Sequence, residues 1–117
     1  MPTYDELTKA IKSKSLLPAY LLAGEEPLYI DRLAQLLLDT LIPEEERDFN
    51  LSVLYGAEVG ARDILTEAMR FPMMGARVLV VVREAQLIKD LDLLAEHLEA
   101  LPSSTCLVLC YKKKPDK

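Results

Sequence analysis

Val78-Leu79-Val80-Val81-Val82-Arg83-Glu84 is apolar at five successive positions and then turns charged. Side chains alternate between faces along a strand, so a run with no polar residue on either face predicts a strand covered on both sides. Such strands belong to parallel sheets packed between helices. Cys106-Leu107-Val108-Leu109-Cys110 repeats the pattern, and Tyr20-Leu21-Leu22-Ala23 before Gly24 reads as a third buried strand. Phe49, Leu51, Val53 and Tyr55 instead alternate with Asn50, Ser52 and Leu54. That period predicts a strand over 49–55 with one face partly wet, placed at a sheet edge.

Helical patterns separate these runs. Thr3 and Glu6 have capping-box spacing, and Tyr4, Leu7, Ala10 and Ile11 form one stripe, which predicts a short opening helix. Pro27 suits a first helical position, Leu28, Ile30, Leu33, Ala34, Leu37, Leu38 and Leu41 recur at helical spacing, and Pro43 closes the segment. Ala61, Ile64, Leu65, Ala68 and Met69 predict a narrower helix that stops near Arg70, because Pro72 drives Phe71 toward extended geometry. Leu87, Leu91, Leu94, Leu98 and Leu101 form another stripe, with Asp90 placed as its cap. The alternation of strand and helix is that of an α/β fold with right-handed parallel crossovers. The end at Lys112-Lys113-Lys114-Pro115-Asp116-Lys117, just after a central strand, predicts a sheet truncated before its last strand, with one edge open to self-association.

A chain of 117 residues, half of them hydrophobic and 28% charged, fits one globular domain rather than a disordered segment. The net charge of −5 argues against direct binding of a nucleic-acid backbone, so any work near DNA is expected to pass through another protein. No apolar stretch approaches the roughly 20 residues that span a bilayer, and the polar, acidic start does not resemble a signal peptide. A cytoplasmic protein without membrane association is expected. Cys106 and Cys110 would lie about 13 Å apart on one strand face, beyond disulfide reach, and read as core thiols. With a single histidine, His97, a zinc site lacks ligands, and His97 reads as a partly buried structural residue.

In sheets of this class the loop after the first strand is the usual phosphate cradle. Here it reads Gly24-Glu25-Glu26-Pro27-Leu28-Tyr29-Ile30-Asp31. Against G-x-x-x-x-G-K-[ST], Gly24 is retained, while Tyr29 replaces the second glycine, Ile30 the lysine and Asp31 the magnesium-binding hydroxyl. The carboxylates of Glu25 and Glu26 would themselves occupy the positive helix end that a phosphate seeks. After the valine strand, Arg83-Glu84 stands where an acidic pair would hold the metal, and arginine cannot ligate a cation. Glu84 reads as an exposed strand-end charge. No serine, cysteine and histidine arrangement supports nucleophilic catalysis. For a phosphoacceptor site only Glu25 and Glu26 fit, since Val82-Arg83 and Cys110-Tyr111 offer no aspartate at the end of a central strand. No catalytic residue, cofactor or metal is expected.

One stretch is unusual: Phe71-Pro72-Met73-Met74-Gly75, large apolar residues in a loop between helix and strand. Either the loop tucks beneath the sheet as a purely structural element, or it forms a hydrophobic wedge for a partner, a use to which adaptable Met side chains are suited.

The order of Tyr20-Leu21-Leu22-Ala23-Gly24-Glu25-Glu26-Pro27-Leu28-Tyr29-Ile30, the strand after Asp48-Phe49-Asn50, the segment from Ala68 through Arg70-Phe71-Pro72-Met73-Met74-Gly75-Ala76-Arg77 to Ala85, and Leu107-Val108-Leu109 resembles the N-terminal region of the bacterial DNA polymerase III delta subunit family. The resemblance covers nearly the whole chain. It implies a three-layer RecA/AAA+-like domain spanning 1–117, the first of three in a clamp-loader subunit, with lid and collar domains beyond Lys117. It implies a subunit that hydrolyses no ATP, consistent with the degenerate phosphate loop at Gly24, Glu25 and Glu26. It also implies binding and opening of the beta sliding clamp, alongside delta prime and gamma/tau subunits, with DNA met through the assembled complex. Met73 and Met74 occupy the positions of the family's clamp-gripping apolar pair, usually leucine and phenylalanine; Phe71 is expected to join them in binding the clamp and to brace the loop from inside, while Pro72 fixes its turn. The alternative from another class is a nucleotide-binding P-loop-type ATPase domain, against which Ile30 and Asp31 stand.

Overall fold

A computed structural model describes residues 19–24, 27–72 and 77–112. The helix predicted from Thr3 lies outside them. In chain order the elements are β1 (Ala19–Gly24), α1 (Pro27–Leu41), a helical turn α2 (Arg47–Asn50), β2 (Leu51–Tyr55), α3 (Ala61–Ala68), β3 (Val78–Arg83), α4 (Leu91–Glu96) and β4 (Thr105–Lys112). The strands form one parallel sheet in the order β1-β4-β3-β2. Its neighbours are aligned as Leu22 with Cys110, Val80 with Leu107, and Val53 with Val81.

Both sides of the sheet are covered. On one, Tyr20, Leu22, Leu79, Val81, Cys106, Val108 and Cys110 pack with Ile30, Leu33, Ala34 and Leu37 of α1. On the other, Val78, Val80, Val82, Leu107 and Leu109 pack with Ala61, Ile64 and Ala68 of α3 and Leu94 of α4. The two-sided valine and leucine runs are therefore the central strands β3 and β4, as their hydropathy predicts. Both cysteines are buried on the α1 side and neither is in a disulfide. Burial pushes the Cys106 thiol up to about 12, with the Arg77 guanidinium pulling weakly the other way, so it stays a protonated core group.

β2 lies at an edge, but it starts later than its alternation predicts. Phe49 and Asn50 belong to α2, and Asn50 is buried at the corner with its amide donating to Glu46. The apolar face of β2 is also its wetter one: Val53 and Tyr55 are exposed, because α1 covers the middle of the sheet and stops short of this edge. β1 is the other edge among the described residues, and Leu21 is exposed there rather than buried.

The stripe from Leu87 to Leu101 does not form one helix. A 3-10 turn over Ala85–Leu87, α4 and a second 3-10 turn over Leu98–Ala100 break it, and Leu87 faces solvent. Asp90 sits ahead of α4 without capping it by its side chain. Its carboxylate instead accepts from the Ala61 N–H at 2.8 Å and so caps α3. His97 is exposed, contrary to the partly buried role expected, with Nδ1 3.0 Å from the Leu93 carbonyl one turn back.

Candidate functional site

All strands run the same way, so the sheet has two unlike rims. The carboxyl-terminal rim, where β1 leads into α1, is where a phosphate cradle would stand. Gly24 ends β1 here, Glu25 and Glu26 lie outside the described residues, and Tyr29, Ile30 and Asp31 lie on α1. Ile30 is buried in the core, so the position where a cradle has its lysine is spent on packing. Asp31 and Arg83, the residues at the hydroxyl and metal-acid positions, meet across the rim with Nη1 3.7 Å from Oδ1. A guanidinium thus stands where magnesium chemistry would need an anion, and the residues present do not fit a magnesium nucleotide.

Glu84 is half-buried rather than the exposed charge expected, and it adopts a left-handed backbone at φ 55°. Its carboxylate accepts from the Gln86 amide, and its carbonyl oxygen would lie 2.1 Å from a Cβ placed on Gly56. The Gly56 N–H donates to the Arg83 carbonyl at 2.8 Å, which ties the ends of β2 and β3 together. Glycine is required at 56 because backbone passes where a side chain would stand. Neighbouring residues 56–60 with Leu87, Lys89 and Asp90 line an open depression. Among the described residues no group of three or more His, Cys, Asp or Glu is arranged to hold a metal, and no helix is long and apolar enough to cross a membrane.

The amino-terminal rim carries the apolar stretch. α3 ends at Ala68, and Phe71 two residues past Met69 is 75% exposed, the most exposed large apolar residue among those described. It does not brace the loop from inside, as the resemblance had implied. The tucked alternative fails at this residue, while Met73 and Met74 lie outside the described residues. Two polar groups that sequence reasoning missed hold the helix end. The buried Thr105 hydroxyl donates to the Ala68 carbonyl at 2.6 Å, satisfying a helix-terminal acceptor. Arg70 donates through Nε to Glu67 at 3.1 Å, through Nη1 to the Phe49 carbonyl at 3.2 Å and through Nη2 to the Ser52 hydroxyl at 3.4 Å. Of these, only the Glu67–Arg70 spacing at i, i+3 was visible in the sequence.

A family profile described as DNA polymerase III, delta subunit, matches residues 20–117. The chain belongs to the DNA polymerase III delta subunit family. It is 32% identical over 78 residues to the DNA polymerase III subunit delta of Bacillus subtilis, covering 67% of this chain and 22% of that protein. This member of the delta family therefore spans about a fifth of the length of that curated relative. Among solved structures, it is similar to the Bacillus subtilis DNA clamp loader delta protein, with a TM-score of 0.82 at 24% identity over 98% of this chain and 38% of that one. A DNA polymerase III gamma subunit-related protein from Thermotoga maritima follows at a TM-score of 0.66 and 20% identity, over 95% of this chain and 40% of that one. The delta-family chain thus shares the fold of these two proteins, a parallel α/β sheet with flanking helices, as its run of strands and helices predicts.

Proposed function

We propose that this chain is the first, ATPase-like domain of a clamp-loader subunit that binds the beta sliding clamp and helps open it for loading onto DNA, without hydrolysing ATP itself. The observation that carries the reading is the 75% exposure of Phe71 just past a polar-anchored helix end, with Pro72 between it and Met73-Met74 in sequence. Placing the exposed Phe71 ring in a clamp pocket offsets the cost of displaying it to water. Burying the two methionines contributes roughly 3–6 kcal/mol before ordering costs. Opening follows only from binding the open clamp better than the closed one. Delta prime and gamma/tau subunits are the expected partners in the cytoplasm, with the gamma-type neighbours as the source of ATP energy, and DNA is met through the assembled complex.

The Asp31–Arg83 pair and the packed Ile30 speak against the alternative of a nucleotide-binding P-loop-type ATPase. Surface plasmon resonance against the cognate clamp tests the reading, with a folded Met73→Asp/Met74→Asp variant beside the parent. The parent is expected to bind and the variant to lose at least about 100-fold in affinity, since about 2.7 kcal/mol separates states that differ so. A folded parent that fails to bind overturns the clamp role. Saturable binding of magnesium ATP would restore the alternative.

A further inference from the structure

We infer that Arg70 is a positioning residue that fixes the direction in which the chain leaves α3 and so presents Phe71 to the clamp; this rests on the clamp reading above. The three donors of one guanidinium go to three different places: Glu67 in the last turn of α3, the Phe49 carbonyl of α2 and the Ser52 hydroxyl of β2. Ser52 in turn donates to the same Glu67 oxygen at 2.8 Å, so Arg70, Glu67 and Ser52 close a ring. A planar fork suits three acceptors at fixed angles, which a lysine ammonium on its flexible stem does not match.

The clasp is about one-third exposed, at 32% for Arg70 and 35% for Glu67, and so is shielded from full solvent competition. It stands one residue before Phe71, whose Cα follows at the 3.8 Å step of a trans peptide. Thr105 holds the Ala68 carbonyl through its hydroxyl. Between them the two contacts tie the helix end to β2 and β4, so the exposed ring is carried on backbone that is ordered before any partner arrives. Preorganisation of this kind raises affinity by reducing what must be ordered on binding.

The test compares the parent with Arg70→Ala and Arg70→Lys by amide hydrogen exchange of the free protein and by plasmon resonance against the clamp. In Arg70→Ala the amides of Met69 and Arg70 are expected to exchange at least about tenfold faster while those of Val80 and Leu107 are unchanged. Clamp affinity is expected to fall about tenfold with the melting temperature near the parent's, and Arg70→Lys to fall between the two. A purely structural role would move the melting temperature and the central-strand amides instead. Unchanged exchange at Met69 and Arg70, or parental clamp affinity in Arg70→Ala, overturns the inference. Exchange is read without the clamp, so a parent that does not bind overturns the clamp reading while the exchange rates still decide whether Arg70 holds the helix end.

Discussion

The carboxyl-terminal and amino-terminal rims close the same strands with different chemistry. At the first, backbone meets backbone where Gly56 passes Glu84, and the charges of Asp31 and Arg83 face each other 3.7 Å apart and half in water. At the second, a buried hydroxyl and a three-way guanidinium hold the end of α3, and a phenylalanine stands out beyond them. The rim that this fold class reserves for ligand chemistry has become packing and surface charge. The opposite rim is held instead by directional polar bonds from side chains. The two rims can thus differ in chemistry along the same strands, because each is built from different loops.

The sharpest way to break this comparison is Gly56→Ala, which sets a methyl against the Glu84 carbonyl at 2.1 Å. Overpacking against backbone is expected to cost about 3 kcal/mol in urea unfolding. A variant as stable as its parent would mean that the carboxyl-terminal rim is soft. Next, Thr105→Val keeps the shape of the side chain but strands the Ala68 carbonyl in a buried place. A loss of about 2 kcal/mol is expected, again read by urea unfolding.

The thiol of Cys106, beside Thr105, provides a pH test of how dry this rim is. Its folded value is pushed up to about 12 from 9.0 by burial. Above pH 9 the unfolded chain releases this proton while the folded chain keeps it, so stability is full below that point and falls as pH rises toward 12. The slope from this group is about 1.4 kcal/mol per pH unit, and Cys106→Val is expected to remove it from an alkaline series of unfolding curves. The smallest effect is expected at the other rim. Arg83→Ala should cost about 1 kcal/mol, since the side chains of both partners are only partly exposed, at 39% and 45%, and the pair is loose at 3.7 Å. A larger loss there than in Thr105→Val would reverse the comparison.

What the sequence disclosed follows from how local each cause is. The runs at Val78 and Cys106 announce central strands because burial on both faces leaves no polar position, and Pro27 and Pro43 bracket α1 by backbone geometry alone. Phe49 misled because the alternation continues unbroken through it, while the Arg47–Asn50 turn is set by tertiary packing around the buried Asn50. Asp90 had the position of a cap for α4, yet its carboxylate serves α3, a choice made by strand order rather than by neighbours. The same holds for the candidate site. Substitutions at Tyr29, Ile30 and Asp31 are legible against a motif, and the apolar stretch after Arg70 stands out by composition. That Asp31 would meet Arg83, or that Arg70 would reach Phe49, depends on contacts between distant segments.

The strand order β1-β4-β3-β2 also sets a timetable for the growing chain. β2 and β3 are successive strands and pair with each other, but among the described residues β1 pairs only with β4, from Ala19 opposite Leu107 to Gly24 opposite Lys112. The first of these strands to leave the ribosome is therefore the last to find its neighbour. Pairings so remote in sequence form slowly, and until β4 has been synthesised the backbone groups of β1 have no place in the sheet. The two ends of the described chain must therefore meet before the sheet is whole, and a chain lacking β4 leaves β1 without its partner strand.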